Sequence, residues 1–116
     1  MRKLLAIGAG VALSFAVAGV STAAETTVTG HLRDGYCFIR MGAHGPSHKT
    51  CAIKCAKAGI PVLLVTDSGK TYTLLPPKDA HPYPPAVIQH MEDKVTVTGN
   101  EYSKGGQNFL TADSVK

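Results

Sequence analysis

Short runs of alternating apolar and polar residues, broken by turn-forming clusters, fill the chain from residue 26 onward. Residues 26–33 (TTVTGHLR) set Val28 and Leu32 between polar neighbours around Gly30. That is the period of a half-buried strand with a bulge or sharp bend at the glycine. Asp34-Gly35 is a turn signal, and Tyr36 to Ile39 can extend the strand beyond it. Residues 40–47 have loop composition, rich in Gly, His, Pro and Ser. Residues 60–66 (IPVLLVT) form a continuous apolar run suited to a buried strand. Asp67-Ser68-Gly69-Lys70 turns the chain, and residues 71–75 (TYTLL) return as its hairpin partner. Residues 94–99 (KVTVTG) alternate cleanly, a turn follows at 103–106, and residues 108–115 make the last strand.

Two stretches break this β pattern. HKTCAIKCAKA, about residues 48–58, has helical composition, with Ser47 as the expected N-cap and Gly59 as the stop. Residues 76–85 (PPKDAHPYPP) hold five of the seven prolines and predict a stiff loop, followed by a short helix over 86–91. Five short strands at even spacing predict a mainly β fold. The expected form is a small five-stranded OB-like barrel with one helix between strands 1 and 2, with a five-stranded α+β roll as the alternative.

Residues 1–24 stand apart. Arg2 and Lys3 precede an apolar run from Leu4 to Val20, and Ser21-Thr22-Ala23-Ala24 supplies small residues for cleavage. This is the pattern of a secretory signal peptide, preferred over a retained membrane anchor because the run is short and ends in a cleavage-type sequence. The expected product is a periplasmic or secreted single domain over residues 25–116, with no membrane attachment after cleavage. Loss of Arg2 and Lys3 leaves ten basic against eight acidic residues, so the net charge falls from +4 to +2. Neither that balance nor the absence of Trp supports a nucleic-acid partner.

The candidate chemistry lies in residues 37–55, CFIRMGAHGPSHKTCAIKC, which contain all three cysteines together with Met41, His44 and His48. On a helix turning about 100° per residue, His48, Cys51 and Cys55 fall within an arc of roughly 60°. Cys37, upstream across a glycine- and proline-containing loop, can fold back over that face. Cys37, His48, Cys51 and Cys55 then form a Cys₃His set, the complement of a tetrahedral zinc site or a soft-ligand copper site. His44 is a candidate auxiliary ligand. Met41 is read as a packing residue, and His31, His81 and His90 as surface residues.

The C-x₃-C spacing also resembles that of binuclear copper centres and of copper-chaperone relatives of thioredoxin, in spacing alone. The runs GHLRDGYC at 30–37, SHKTCAIKCAKAGIP at 47–61, SGKTYTL at 68–74 and KVTVTG at 94–99 resemble a family of small exported bacterial proteins of OB-like fold. The resemblance covers most of the mature chain and is most specific at Cys37 and His48-x₂-Cys51-x₃-Cys55. It implies the barrel fold and joint action of the four residues, and it implies no particular activity. The chain departs from the family pattern in its extended Pro-rich loop with His81.

The competing reading of the cysteines is a disulfide from Cys37 to Cys51 or Cys55. Cys51 and Cys55 themselves are disfavoured as a pair, because Cβ atoms four apart on a helix lie about 5–6 Å from each other. A disulfide-pinned barrel would be a binding module for a small molecule, a glycan or a periplasmic protein partner. A third class, thiol redox chemistry, lacks the C-x-x-C motif. No hydrolase, zinc-protease, phosphate-loop or dinucleotide motif is present, so no enzyme class is indicated.

Overall fold

The computed structural model describes residues 24–116. The expected signal peptide therefore lies almost wholly outside the described residues. Among these, the strands are β1 (Ala24–Asp34), β2 (Val62–Val65), β3 (Thr71–Leu75), β4 (Lys94–Lys104), β5 (Gln107–Thr111) and β6 (Ser114–Val115). The first five close into a barrel in the order β1-β2-β3-β5-β4, with β4 pairing back onto β1. Every neighbouring pair is antiparallel except β3 and β5, which run parallel. This is the small OB-like barrel expected from the pattern, and its closure sets aside the open α+β roll. The two-residue β6 adds to β4 through Val97–Val115 and Thr98–Ser114.

Closure depends on two long strands that each serve two partners. β1 pairs with β4 from Ala24 to His31 and with β2 from His31 to Asp34. The change of partner comes at Gly30-His31, where a Cβ on Gly30 would lie 2.6 Å from the carbonyl oxygen of Val65. β4 likewise leaves β1 and takes up β5 at Glu101. Just before that point, a Cβ on Gly99 would run into the carbonyl oxygen of Thr111. The two Val-Thr-Gly runs are thus the places where the sheet bends and a neighbouring backbone comes closest.

Leu32, Val62, Leu64, Leu74, Val97 and Leu110 fill the barrel and are fully buried or nearly so. One end is covered by α3 (Pro85–Gln89), where Val87 and the following Met91 are fully buried. Tyr83 ties the Pro-rich loop to the sheet. Its hydroxyl accepts from the Val62 amide at 3.0 Å and donates to the Leu74 carbonyl at 2.9 Å.

The connection between β1 and β2 differs from expectation. It holds two helices rather than one, α1 (Gly35–Met41) and α2 (Lys49–Lys57), joined by a 3₁₀ turn over Pro46–His48. Tyr36 to Ile39 do not extend the strand. The Asp34 side chain caps the new helix by accepting from the Cys37 amide, and Gly42 ends it at φ 69°. Ser47 is not the N-cap of α2. Pro46 starts a 3₁₀ turn that absorbs Ser47, and His48 takes the cap position without a side-chain cap bond. Ala52 and Ala56 of α2 are buried in the core cluster, where their small side chains let the helix sit close to the barrel. No helix among the described residues is long and apolar enough to cross a membrane.

Gly99→Ala should lower the unfolding free energy by about 3 kcal/mol, an overpacking cost against the Thr111 backbone. Gly69→Ala meets open space at φ 90° and should cost only about 1 kcal/mol, for the left-handed conformation alone. Urea titrations of both variants check the contrast.

Candidate metal centre

β1, α1 and α2 converge where β1 ends. Asp34, the last residue of β1, is fully buried. Its Oδ1 accepts the Cys37 amide at 2.8 Å, and its Oδ2 meets His48 Nε2 at 2.6 Å. The same carboxylate therefore fixes the start of α1 and the ring just ahead of α2. Cys37 is carried on the first turn of α1 and is buried. Cys51 and Cys55 stand on successive turns of α2, the first exposed and the second half-buried.

One sulfur from each of Cys37, Cys51 and Cys55 lies within 4.8 Å of the other two, close enough to hold a metal ion. A second group shares Cys37: ligand atoms of Asp34, Cys37 and His48 also lie within 4.8 Å of one another. The four residues expected from the sequence are thus neighbours, but His48 belongs to the second group and faces Asp34. The helical stripe placed His48 on one face with Cys51 and Cys55, within an arc of roughly 60°. The 3₁₀ turn removes it from that helix (φ −94°, ψ −3°) and turns its ring toward the end of β1.

Asp34 is the member of the cluster that the sequence reading missed. Asp-Gly signals a turn, and it is also a helix N-cap when a helix follows. The helical potential of residues 35–41, with Gly42 as a stop, was the signal that distinguishes the two. His44 and Met41 stay outside both groups. His44 bonds the Gly42 carbonyl through Nδ1 at 2.7 Å, and Met41 is largely exposed. Lys54 and Lys57 face solvent, while Lys49 pairs with Asp93 at 2.8 Å.

The electrostatics of the cluster follow from its buried carboxylate. Burial opposes ionisation of Asp34, but the Cys37 amide and the His48 ring outweigh it and hold the carboxyl below its usual range. Burial, together with the negative charge of Asp34 and the neighbouring Cys51, pushes the Cys37 thiol up. The same causes push Cys55 up to about 11. Both groups are therefore protonated at neutral pH.

None of the three cysteines is bridged. No family model, curated protein or solved structure matches the chain.

Asp34→Ala should destabilise the protein by about 2 kcal/mol or more, combining a lost helix cap of about 1 kcal/mol with an unpaired, mostly buried His48 ring. Asp34→Asn keeps an acceptor for the Cys37 amide and should cost clearly less. Thermal melts separate the two, at roughly 4–8 °C per kcal/mol for a domain of this size.

Proposed function

We propose that this is an exported metal-binding protein that takes a soft ion, copper or zinc, through Cys37, Cys51, Cys55 and His48. The observation that carries the reading is the convergence of three sulfurs from two separate helices within 4.8 Å. Two or three thiolates with an imidazole suit Cu(I) and Zn²⁺, and suit the harder cations poorly. Copper handling is the preferred role and a structural zinc site the second. Export rests on the pattern of residues 1–24.

The chain's own residues do the following in this mechanism. Exposed Cys51 meets the ion first, and buried Cys37 and half-buried Cys55 complete the sulfur set. Asp34, ionised and able only to accept, fixes the proton of the His48 ring on Nε2. The Nδ1 lone pair is then the atom available for the metal, in the manner of carboxylate-oriented histidine ligands. Capture displaces the thiol protons into solvent.

A second reading, an OB-like binding module for a small molecule or glycan, has one observation in its favour. An open groove of about 360 Å³ lies on the barrel face between α1 and the sheet. Phe38, Ile39 and Leu63 supply its apolar wall, and Thr71, Thr73 and Asn108 supply hydroxyl and amide groups. Its volume falls within the range of about 300–1,000 Å³ common for small-ligand sites.

Protein purified from the exported fraction without chelator should carry about one copper or zinc ion per chain, with three thiols titrating only after metal removal. His48→Ala should weaken binding about 10-fold or more. No metal with a single free thiol, and no uptake of zinc or copper after reduction with dithiothreitol, would contradict the metal reading and favour the module. The raised thiols of Cys37 and Cys55 make a further, signed expectation. Each must lose a proton on binding, so these two alone make apparent zinc affinity rise by at least about 100-fold per pH unit between roughly pH 6 and 8. A pH-independent affinity would show that these two thiols are not ligands.

A further inference from the structure

The three sulfurs differ in access and in the partners open to them. Cys51 is exposed, Cys37 is buried and Cys55 lies between. All three are within 4.8 Å of one another and none is bridged, so a bond of about 2.0 Å requires two of them to close further. Cys51 and Cys55 share the intact helix α2, which holds their Cβ atoms about 5–6 Å apart against the roughly 3.5–4.5 Å that a disulfide needs. Cys37 comes from a different element. Its helix α1 is seven residues long and leads into a loop with glycines at φ 69° and φ 100°. The sulfur that an external reagent can reach is Cys51, and the sulfur that can bond to it is Cys37.

We infer that the cluster also performs reversible thiol–disulfide exchange, with Cys51 attacking and Cys37 resolving, and that this oxidation switches the metal site off. The switch rests on the metal reading; the exchange chemistry does not. The oxidant is an external disulfide, either a low-molecular-weight one or that of a partner protein. The Cys51 thiolate attacks one sulfur of the external disulfide RSSR, a Cys51–SR bond forms, the S–S bond breaks, and RS⁻ leaves and takes up a proton. Cys37 then gives up its proton, its sulfur attacks Cys51 Sγ, the Cys51–SR bond breaks, and the second RS⁻ leaves and takes up a proton. Two protein thiols are oxidised, one RSSR becomes two RSH, and two electrons and two protons are transferred. Cys55, held on the same intact helix as Cys51, is left as a thiol. One thiol and one imidazole then remain where three sulfurs had converged. An external dithiol reverses the sequence.

The test uses the full mature protein, reduced and loaded with Zn²⁺, an ion that does not itself oxidise thiols. Oxidised glutathione is added, zinc release is read with a chromogenic chelator, and thiols are counted by alkylation and mass. The expected result is a fall from three thiols to one, a Cys37–Cys51 peptide in the digest, zinc release in step with it, and recovery of both on adding dithiothreitol. Cys55→Ser should form the same bridge, and Cys51→Ser should react at least about 10-fold more slowly, since the attacking sulfur is gone. Zinc retained with three intact thiols would overturn the inference and leave the metal reading standing. A bridge that uses Cys55 in the unmodified chain would overturn the assigned roles. Failure of the reduced protein to take up zinc would remove the metal reading and with it the switch. In that case a reversible Cys37–Cys51 bridge would still establish the exchange chemistry, and its absence would overturn it.

Discussion

Asp34 is a carboxylate without solvent exposure, and three features of the cluster depend on it. Its Oδ1 starts α1 by taking the Cys37 amide, and its Oδ2 holds His48. Its charge adds to burial, the larger cause, in pushing the Cys37 and Cys55 thiols up. A buried charge is costly unless it is hydrogen-bonded, and the Cys37 amide and the His48 ring, both within the cluster, supply those bonds. The carboxylate that organises the ligands therefore also raises the proton cost of using them. A cation is the natural counterpart of such a site, because it replaces the protons and offsets the negative charge together.

The barrel decides where this carboxylate stands. β1 changes partner at Gly30-His31 and runs on alongside β2 to end at Asp34, so the end of the strand enters the long connection that covers the barrel. That connection is held at a second point. Arg33, next to Asp34, bonds Glu92 at 2.7 Å, and the same Glu92 oxygen accepts the Gly45 amide at 2.8 Å. Glu92 adopts φ 70°, an uncommon conformation for a residue with a side chain, with a cost of order 1–3 kcal/mol. Its two bonds tie the loop between α1 and the 3₁₀ turn to the strand that carries Asp34. Lys49 and His90 meet at Asp93 beside it. Helices bearing the sulfurs are thus anchored to the barrel at several residues rather than packed on it by apolar contact alone.

The strands were legible because alternation of apolar residues has period two, and both glycine bends were marked by Val-Thr-Gly runs at 28–30 and 97–99. The pairing of Cys51 with Cys55 on one helix was legible from spacing, and so was the availability of Cys37. The position of His48 was not, because a helical wheel assumes that the helix reaches residue 48, and Pro46 starts a 3₁₀ turn instead. Asp34 and α1 were missed for a linked reason. Asp-Gly reads locally as a turn, and its role as a cap becomes visible only when the seven following residues are weighed as a helix with Gly42 as its stop.

The most direct measurement of the central claim is X-ray absorption at the zinc edge on reduced protein given one equivalent of Zn²⁺. The account predicts a first shell dominated by sulfur, three Zn–S contacts at about 2.3 Å with one nitrogen at about 2.0–2.1 Å. A shell of oxygen and nitrogen only would contradict it, because the three thiols would then be neighbours without being ligands.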